Sequence, residues 1–315
     1  MITMPDKAKQ FLLVILKLLV VSMALGYIYY QLQNKKIDWN AVSSSISFKA
    51  ILILILFSIT NWVLEIFKWQ NLVSYFKEIT FFESSKQSLG SLTASIFTPN
   101  RIGEYGAKIL FYSKEQAKKI LFLNFISNSS QMATTCFFGI LGIILLSIKK
   151  TETMLWVHFK IKTVYFIFFI LFILIVFLII KYKKVSIYGF SIEKLIRKIK
   201  QFPSNIMMTN FQLSTMRYLV FSHQFYYLLV IFNCEIPYST ALSLIFTLYF
   251  IASLLPSIHF MDVAIKGGVA VYLFSKFDIN EWKIVMITSI MWFFNLVIPV
   301  VIGSYFVLRF KPQQR

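Results

Sequence analysis

Six apolar runs of bilayer-spanning length constrain this 315-residue chain more than any other feature. They cover roughly 11–31, 48–67, 120–147, 162–181, 214–233 and 282–308. A helix needs about 20 predominantly apolar residues to cross a hydrocarbon core, and it satisfies its own backbone hydrogen bonds while doing so. Composition agrees with that requirement. Some 58% of residues are hydrophobic and only 14% are charged, against about 25% charged in soluble domains, and the mean hydropathy is +0.71. The expected fold is all-α and polytopic, with about six transmembrane helices plus two broken or re-entrant elements. These form a single integral membrane domain over 1–315, with no room for a further soluble domain of ordinary size. Lys7 and Lys9 ahead of Phe11–Leu25 have the flavour of a signal peptide. The apolar run continues to Tyr30, however, so a retained first helix is expected.

Two more apolar segments, about 86–112 and 238–275, are each interrupted by a proline with charges just behind it. The first break reads Thr98-Pro99-Asn100-Arg101-Ile102-Gly103-Glu104, followed by Lys108. A charge at mid-bilayer costs at least about 2.5–3.5 kcal/mol. Broken backbone at that depth survives where protein buries it or where it lines a wet cavity. Arg101 offers a planar fork suited to phosphate or carboxylate. Glu104 can pair with Arg101 at i,i+3 or with Lys108 at i,i+4. The segment reads either as a headgroup site for an anionic lipid or as a structural ion pair. The second break holds Pro256, His259, Asp262, Lys266, Gly267 and Gly268. It reads as a matching site or as a solvated outer loop.

The third span carries Asn124, Asn128 and Gln131 at i, i+4, i+7, so the three amides share a helix face. A stripe of that kind faces the bundle interior, as helix–helix glue or as a transport path. Asn61, Glu65 and Lys68 share a face of the second span, and Glu65 reads either as a functional intramembrane acid or as a simple pair with Lys68. Lys17 and Arg217 fall near the expected helix ends, where snorkelling accounts for them. His223 reads as a hydrogen-bonded interior histidine.

Net charge is +19, from 27 Lys and 5 Arg against 13 acids. In a chain of this hydropathy, basic residues flank spans and meet anionic headgroups, and no nucleic-acid motif accompanies them. Cys136 and Cys234 have neither metal nor redox spacing. No metal cluster, phosphate loop or nucleophile–base set is present, so no metal, cofactor or catalytic residue is expected and the reading leans away from an enzyme.

With the N-terminus cytoplasmic and both interrupted segments returning to their side of entry, 20 basic residues fall inside and ten outside. That division favours N-in and C-in. Residues 181–200 hold seven of the inner ones, and Ser191–Gln201 reads as a short basic amphipathic helix on the membrane surface. The first interrupted segment then opens inward and the second outward, the pattern of an inverted repeat with halves near 1–147 and 162–308.

Thr98–Glu104 with Lys108 resembles the signature of the lysylphosphatidylglycerol synthase transmembrane-region family, a Pro-x-Arg-x-Gly-Glu type motif between early helices. The resemblance extends over nearly the whole chain in length and hydropathy. It carries Pro99, Arg101, Gly103 and Glu104 over as motif positions. The family's second region, rich in Pro and Gly and holding an acid, corresponds more loosely to Pro256, Asp262, Gly267 and Gly268. The resemblance implies a bacterial or archaeal inner-membrane protein that is flippase-like and lacks the soluble synthase domain. It would bind a lipid with an anionic headgroup, a phospholipid or a polyprenyl-linked lipid, and move it between leaflets. Arg101 would hold the phosphate, and Glu104 would orient Arg101 or meet an amine. Lys108 and Asn128 would add contacts, and Asp262 and Lys266 would serve the opposite leaflet. A headgroup-modifying enzyme is the first alternative. The second is a non-transporting partner of a separate synthase or glycosyltransferase.

Overall fold

The computed structural model describes residues 46–96, 98, 102–148, 181, 186–187, 190–255 and 262–310. The expected spans at 11–31 and 162–181 lie outside these residues, save Lys181, as do Pro99, Arg101, Pro256 and His259. Helices are numbered here among the described residues.

Helix α1, Phe48–Val73, starts where Ser47 caps it by accepting a hydrogen bond from the Ala50 amide. Its 26 residues make about 39 Å of helix, enough to cross a bilayer with tilt. A turn then leads to α2, Phe81–Ser95, through a reciprocal cap in which Thr80 and Glu83 each bond the other's backbone amide. Helix α3, Ile102–Ile109, follows the first break. A 3₁₀ turn, Lys114–Gln116, runs directly into α4, Ala117–Ile148.

An antiparallel bridge pairs β1, Ser186–Ile187, with β2, Phe190–Ser191. The amphipathic α5, Ile192–Gln201, comes next. Helix α6, Ser204–Ile231, begins after Pro203. Helix α7, Tyr238–Leu254, and α8, Asp262–Phe274, flank the second break. Helix α9, Glu281–Trp292, passes through a π turn at Phe293–Val297 into α10, Ile298–Leu308.

Three of these rods are long and apolar enough to cross a membrane: Phe48–Val73, Lys114–Ile148 and Glu281–Leu308. They expose large apolar side chains such as Phe48, Leu56, Phe137 and Val301, surface that water would penalise and lipid accepts. The chain is an all-α membrane protein. Helix α6 is equally long, but its polar residues line one inward face: Asn210, Ser214 and Gln224 are fully buried. Its start at Ser204, ten residues earlier than the apolar run suggests, places Arg217 in mid-helix. Snorkelling at a helix end therefore does not describe Arg217.

Small residues let the rods approach closely, as expected where lipid gives no hydrophobic drive between helices. A side chain at Gly139 or Gly142 of α4 would strike Phe250, Phe246 or the Ser243 carbonyl of α7. One at Gly303 of α10 would strike the Leu89 carbonyl of α2, beside the bond from Thr93 Oγ1 to the Val300 carbonyl (3.0 Å).

The first interrupted segment folds back on itself. Tyr112, just past α3, bonds through its hydroxyl to Gln87 Oε1 in the second turn of α2 (2.6 Å). At 15 residues, α2 is only about 22 Å long, too short to cross a bilayer. At the break, Thr98 Oγ1 accepts the Gly103 amide (3.0 Å). A Cβ on Gly103 would come within 2.7 Å of that threonine, so glycine is required there by close approach.

Candidate functional site

A cavity of about 500 Å³ lies among the helices. Every described helix from α1 to α9 except α5 contributes to its wall, and the π turn closes one side. The polar wall residues include Asn61, Asn128, Gln131, Arg217, Lys266 and Asn295, set among Trp62, Tyr105, Tyr218 and Trp292. A second hollow, of about 550 Å³, lies by the end of α1. Its amides are committed to backbone: Gln70 Nε2 donates to the Ile79 carbonyl and Asn71 Nδ2 to the Ile206 carbonyl.

The central wall is fixed by a continuous polar chain. Arg217 NH1 donates to Glu65 Oε2 (2.7 Å), and its Nε donates to Asn61 Oδ1 (3.0 Å). Asn61 Nδ2 donates to Asn295 Oδ1 (3.0 Å). Asn295 Nδ2 donates to Gln224 Oε1 (2.8 Å). Lys68 shares the same Glu65 oxygen at 2.9 Å.

The π turn explains how Asn295 reaches this position. The Ile298 amide bonds the Phe293 carbonyl five residues back, which leaves the Phe294 carbonyl to Ser58 Oγ (2.6 Å). Pro299 has no N–H to return to the Asn295 carbonyl, and the Trp62 indole donates there instead (3.1 Å). Such π turns recur at functional sites.

The sequence-derived candidates divide between two places. Asn128 and Lys266 line the cavity. Asn128 Nδ2 donates to the hydroxyl of Tyr105 on α3 (3.1 Å), and Lys266 Nζ stands 5.8 Å from the centre of the Phe221 ring. Both interrupted segments thus reach one cavity, α3 through Tyr105 and α8 through Lys266.

Glu104 and Lys108 lie behind the wall. Lys108 is 1% exposed; its Nζ is 2.7 Å from Glu104 Oε1, 2.9 Å from Asn124 Oδ1 and 3.8 Å from the centre of the Trp69 ring. The i,i+4 pairing of Glu104 with Lys108 is present, and the one with Arg101 lies outside the described residues. Gly267 sits within α8, and a Cβ on Gly268 would meet open space. Asp262 is the first residue of α8. Among the described residues no group of His, Cys, Asp and Glu has the clustering of a metal site.

Arg217, Asn295 and Gln224 were not singled out by sequence reasoning as site residues. Phe202-Pro203-Ser204 is the signal that would have moved the start of α6 and placed Arg217 at depth. A lone amide four residues before a proline inside an apolar run marks Asn295 in the same way.

With this arrangement in place, the relationship to known proteins is direct. The family described as Lysylphosphatidylglycerol synthase TM region matches residues 14–303. The chain belongs to that family. No curated protein matches it. Membership makes it a membrane protein related to lipid modification or transport, and it covers both breaks and every helix lining the cavity. Within the family-like segment, Gly103 has a steric reason, and Glu104 with Lys108 ties α3 to α1 and α4.

Proposed function

We propose that this chain binds a lipid with an anionic headgroup, a phospholipid or a polyprenyl-linked lipid, and carries it between leaflets. The observation that carries this reading is a polar cavity enclosed by apolar helices and reached by both interrupted segments. Water-lined or protein-lined polar space at membrane depth is where broken helices are tolerated, and in transporters it is where substrates bind. The headgroup enters the cavity and the tails stay in lipid. Lys266 and Arg217 face the phosphate, Asn128 and Asn61 orient the remainder, and Arg101 meets the headgroup at the inner break. Glu104, paired with Lys108, holds α3 in place.

In this reading the two interrupted segments are re-entrant elements, one opening to each side, within a single domain of two inverted halves. The protein resides in the inner membrane with both termini cytoplasmic. The cavity volume falls in the usual range of small-molecule pockets, about 300–1,000 Å³.

The test is leaflet exchange of a headgroup-labelled phosphatidylglycerol in vesicles containing the purified protein. The expected result is exchange by the wild type and strong impairment in Arg101→Lys, because lysine keeps the charge but loses the bidentate fork. Wild-type exchange by Arg101→Lys at equal folded protein removes that residue from the site. Absence of exchange in the wild type overturns the transport reading.

A further inference from the structure

We infer that α5, with the start of α4 beside it, is a docking surface for an anionic bilayer, on which α5 lies among the headgroups. This role is separate from lipid transport and does not depend on it. The height of α5 is set by the rods around it. Only Phe202 and Pro203 separate it from α6. Asn71, in the last turn of α1, donates through Nδ2 to the Ile206 carbonyl in the first turn of α6 (2.9 Å). Phe202 is buried, its ring 5.0 Å from that of Tyr75 just past α1 and 5.7 Å from that of Phe122 in the second turn of α4. Helix α1 and the rod Lys114–Ile148 are of membrane-crossing length, so α5 sits where those rods leave the hydrocarbon.

The faces of α5 fit that height. Leu195, Ile196 and Ile199 share one stripe. Ile199 packs against the cluster around Trp69 and Phe202, whereas Ile196 is 39% exposed and Leu195 is half-buried. Protein therefore covers the stripe only in part. Lys194, Arg197, Lys198 and Lys200 are exposed around it, and Arg197 pairs with Glu193 (3.2 Å). Lys118 and Lys119 are exposed nearby on α4. Lys198 Nζ stands 5.9 Å from the centre of the Phe122 ring, and Lys119 Nζ stands 5.5 Å from that of Phe76 in the same cluster. Residues 114–119 and 192–201 together hold seven bases and two acids. A short apolar stripe flanked by lysines suits a helix lying in the interface, with its stems along the acyl boundary and its ammonium groups among phosphates. The negative surface of an anionic leaflet attracts such bases within about a Debye length. A folded protein partner fits less well. A standard interface takes about 800 Å² from each side, and a helix of this length spans only about 15 Å.

For the test, Ile196→Cys and Gln201→Cys are made singly in the full chain, with Cys136→Ser and Cys234→Ser, and a nitroxide is attached to each. Gln201 lies on the side of α5 opposite the stripe. Collision rates with oxygen, which partitions into lipid, and with a water-soluble nickel chelate are read in vesicles of phosphatidylcholine, alone or mixed with phosphatidylglycerol. In the mixed vesicles oxygen should dominate at 196 and the chelate at 201. Lys194→Gln, Lys198→Gln and Lys200→Gln made together should shift position 196 toward water, by about fivefold in the seating equilibrium for each lysine. Raised salt should shift it the same way with every base in place, which keeps the test decisive if the triple variant folds poorly. Chelate access at 196 equal to that at 201 in the mixed vesicles overturns the inference and leaves the stripe to a soluble partner. Equal burial of 196 in both lipids, indifferent to salt and to the three substitutions, also overturns it, because the stripe is then covered without anionic lipid.

Discussion

Glu65 holds the residue-scale logic of the site. It is 6% exposed, and one of its oxygens is shared by Lys68 and Arg217. Removing one member of a buried ion pair leaves the others uncompensated, at about 3–5 kcal/mol. Glu65→Gln should therefore lower thermal stability in detergent by a margin of that order, and a melting temperature close to the wild type would contradict the arrangement. Cys234, in the turn after α6, has a different environment. Burial pushes its thiol up to about 11, against the opposing pull of Lys283. Only the thiolate reacts, and a raised value keeps it scarce below pH 11. Maleimide labelling of Cys234 in a Cys136→Ser background should be slow at pH 7 and rise about tenfold per unit to pH 9. A plateau by pH 9 would show an ordinary thiol.

At the scale of elements, two glycines of the first break make opposite demands. Gly103 faces Thr98 at close quarters, whereas a Cβ on Gly106 meets nothing within 4 Å. Gly106→Ala should hold or raise stability by up to about 1 kcal/mol, since alanine favours the helix. Gly103→Ala must displace Thr98 and should lower folded yield, as read by size-exclusion chromatography of the solubilised protein; equal yields would contradict the close approach. The π turn offers a sharper case. Trp62→Phe strips the Asn295 carbonyl of its donor and should cost about 1–3 kcal/mol. Adding Pro299→Ala restores an N–H within reach and should recover part of that loss in thermal unfolding. Additive losses would mean that the proline does not shape this turn.

Much of this scale was legible in the sequence. Apolar length located α1, α4 and the α9–α10 rod, and proline with following charges located both breaks. The spacing of Asn124, Asn128 and Gln131 gave an inward face. Arg217 and Asn295 were missed because a mean over an apolar window cannot see which neighbour a single polar residue meets. The pairing of Glu65 with α6 and of Asn61 with the π turn spans more than 150 residues of sequence, and no local pattern encodes it.

For the whole molecule, the proposed topology rests on the division of basic residues. Single cysteines are placed at Lys150 and at Lys194, with Cys136 and Cys234 removed; an impermeant thiol reagent in whole cells should label the one at 150, outside, and not the one at 194, inside. Labelling at 194 without 150 would invert the orientation. The central claim is that the cavity holds a lipid headgroup, and native mass spectrometry of gently extracted protein tests it most directly. The wild type and the outer-surface variant Leu308→Trp should each carry a bound anionic lipid, because Leu308 is 86% exposed and remote from the cavity wall. Ser253→Trp, which fills the cavity from α7, and Asn128→Leu, which takes an amide off its wall, should lose that lipid while remaining folded. Wild-type lipid content in both cavity variants, or no bound lipid in the wild type, would contradict the account.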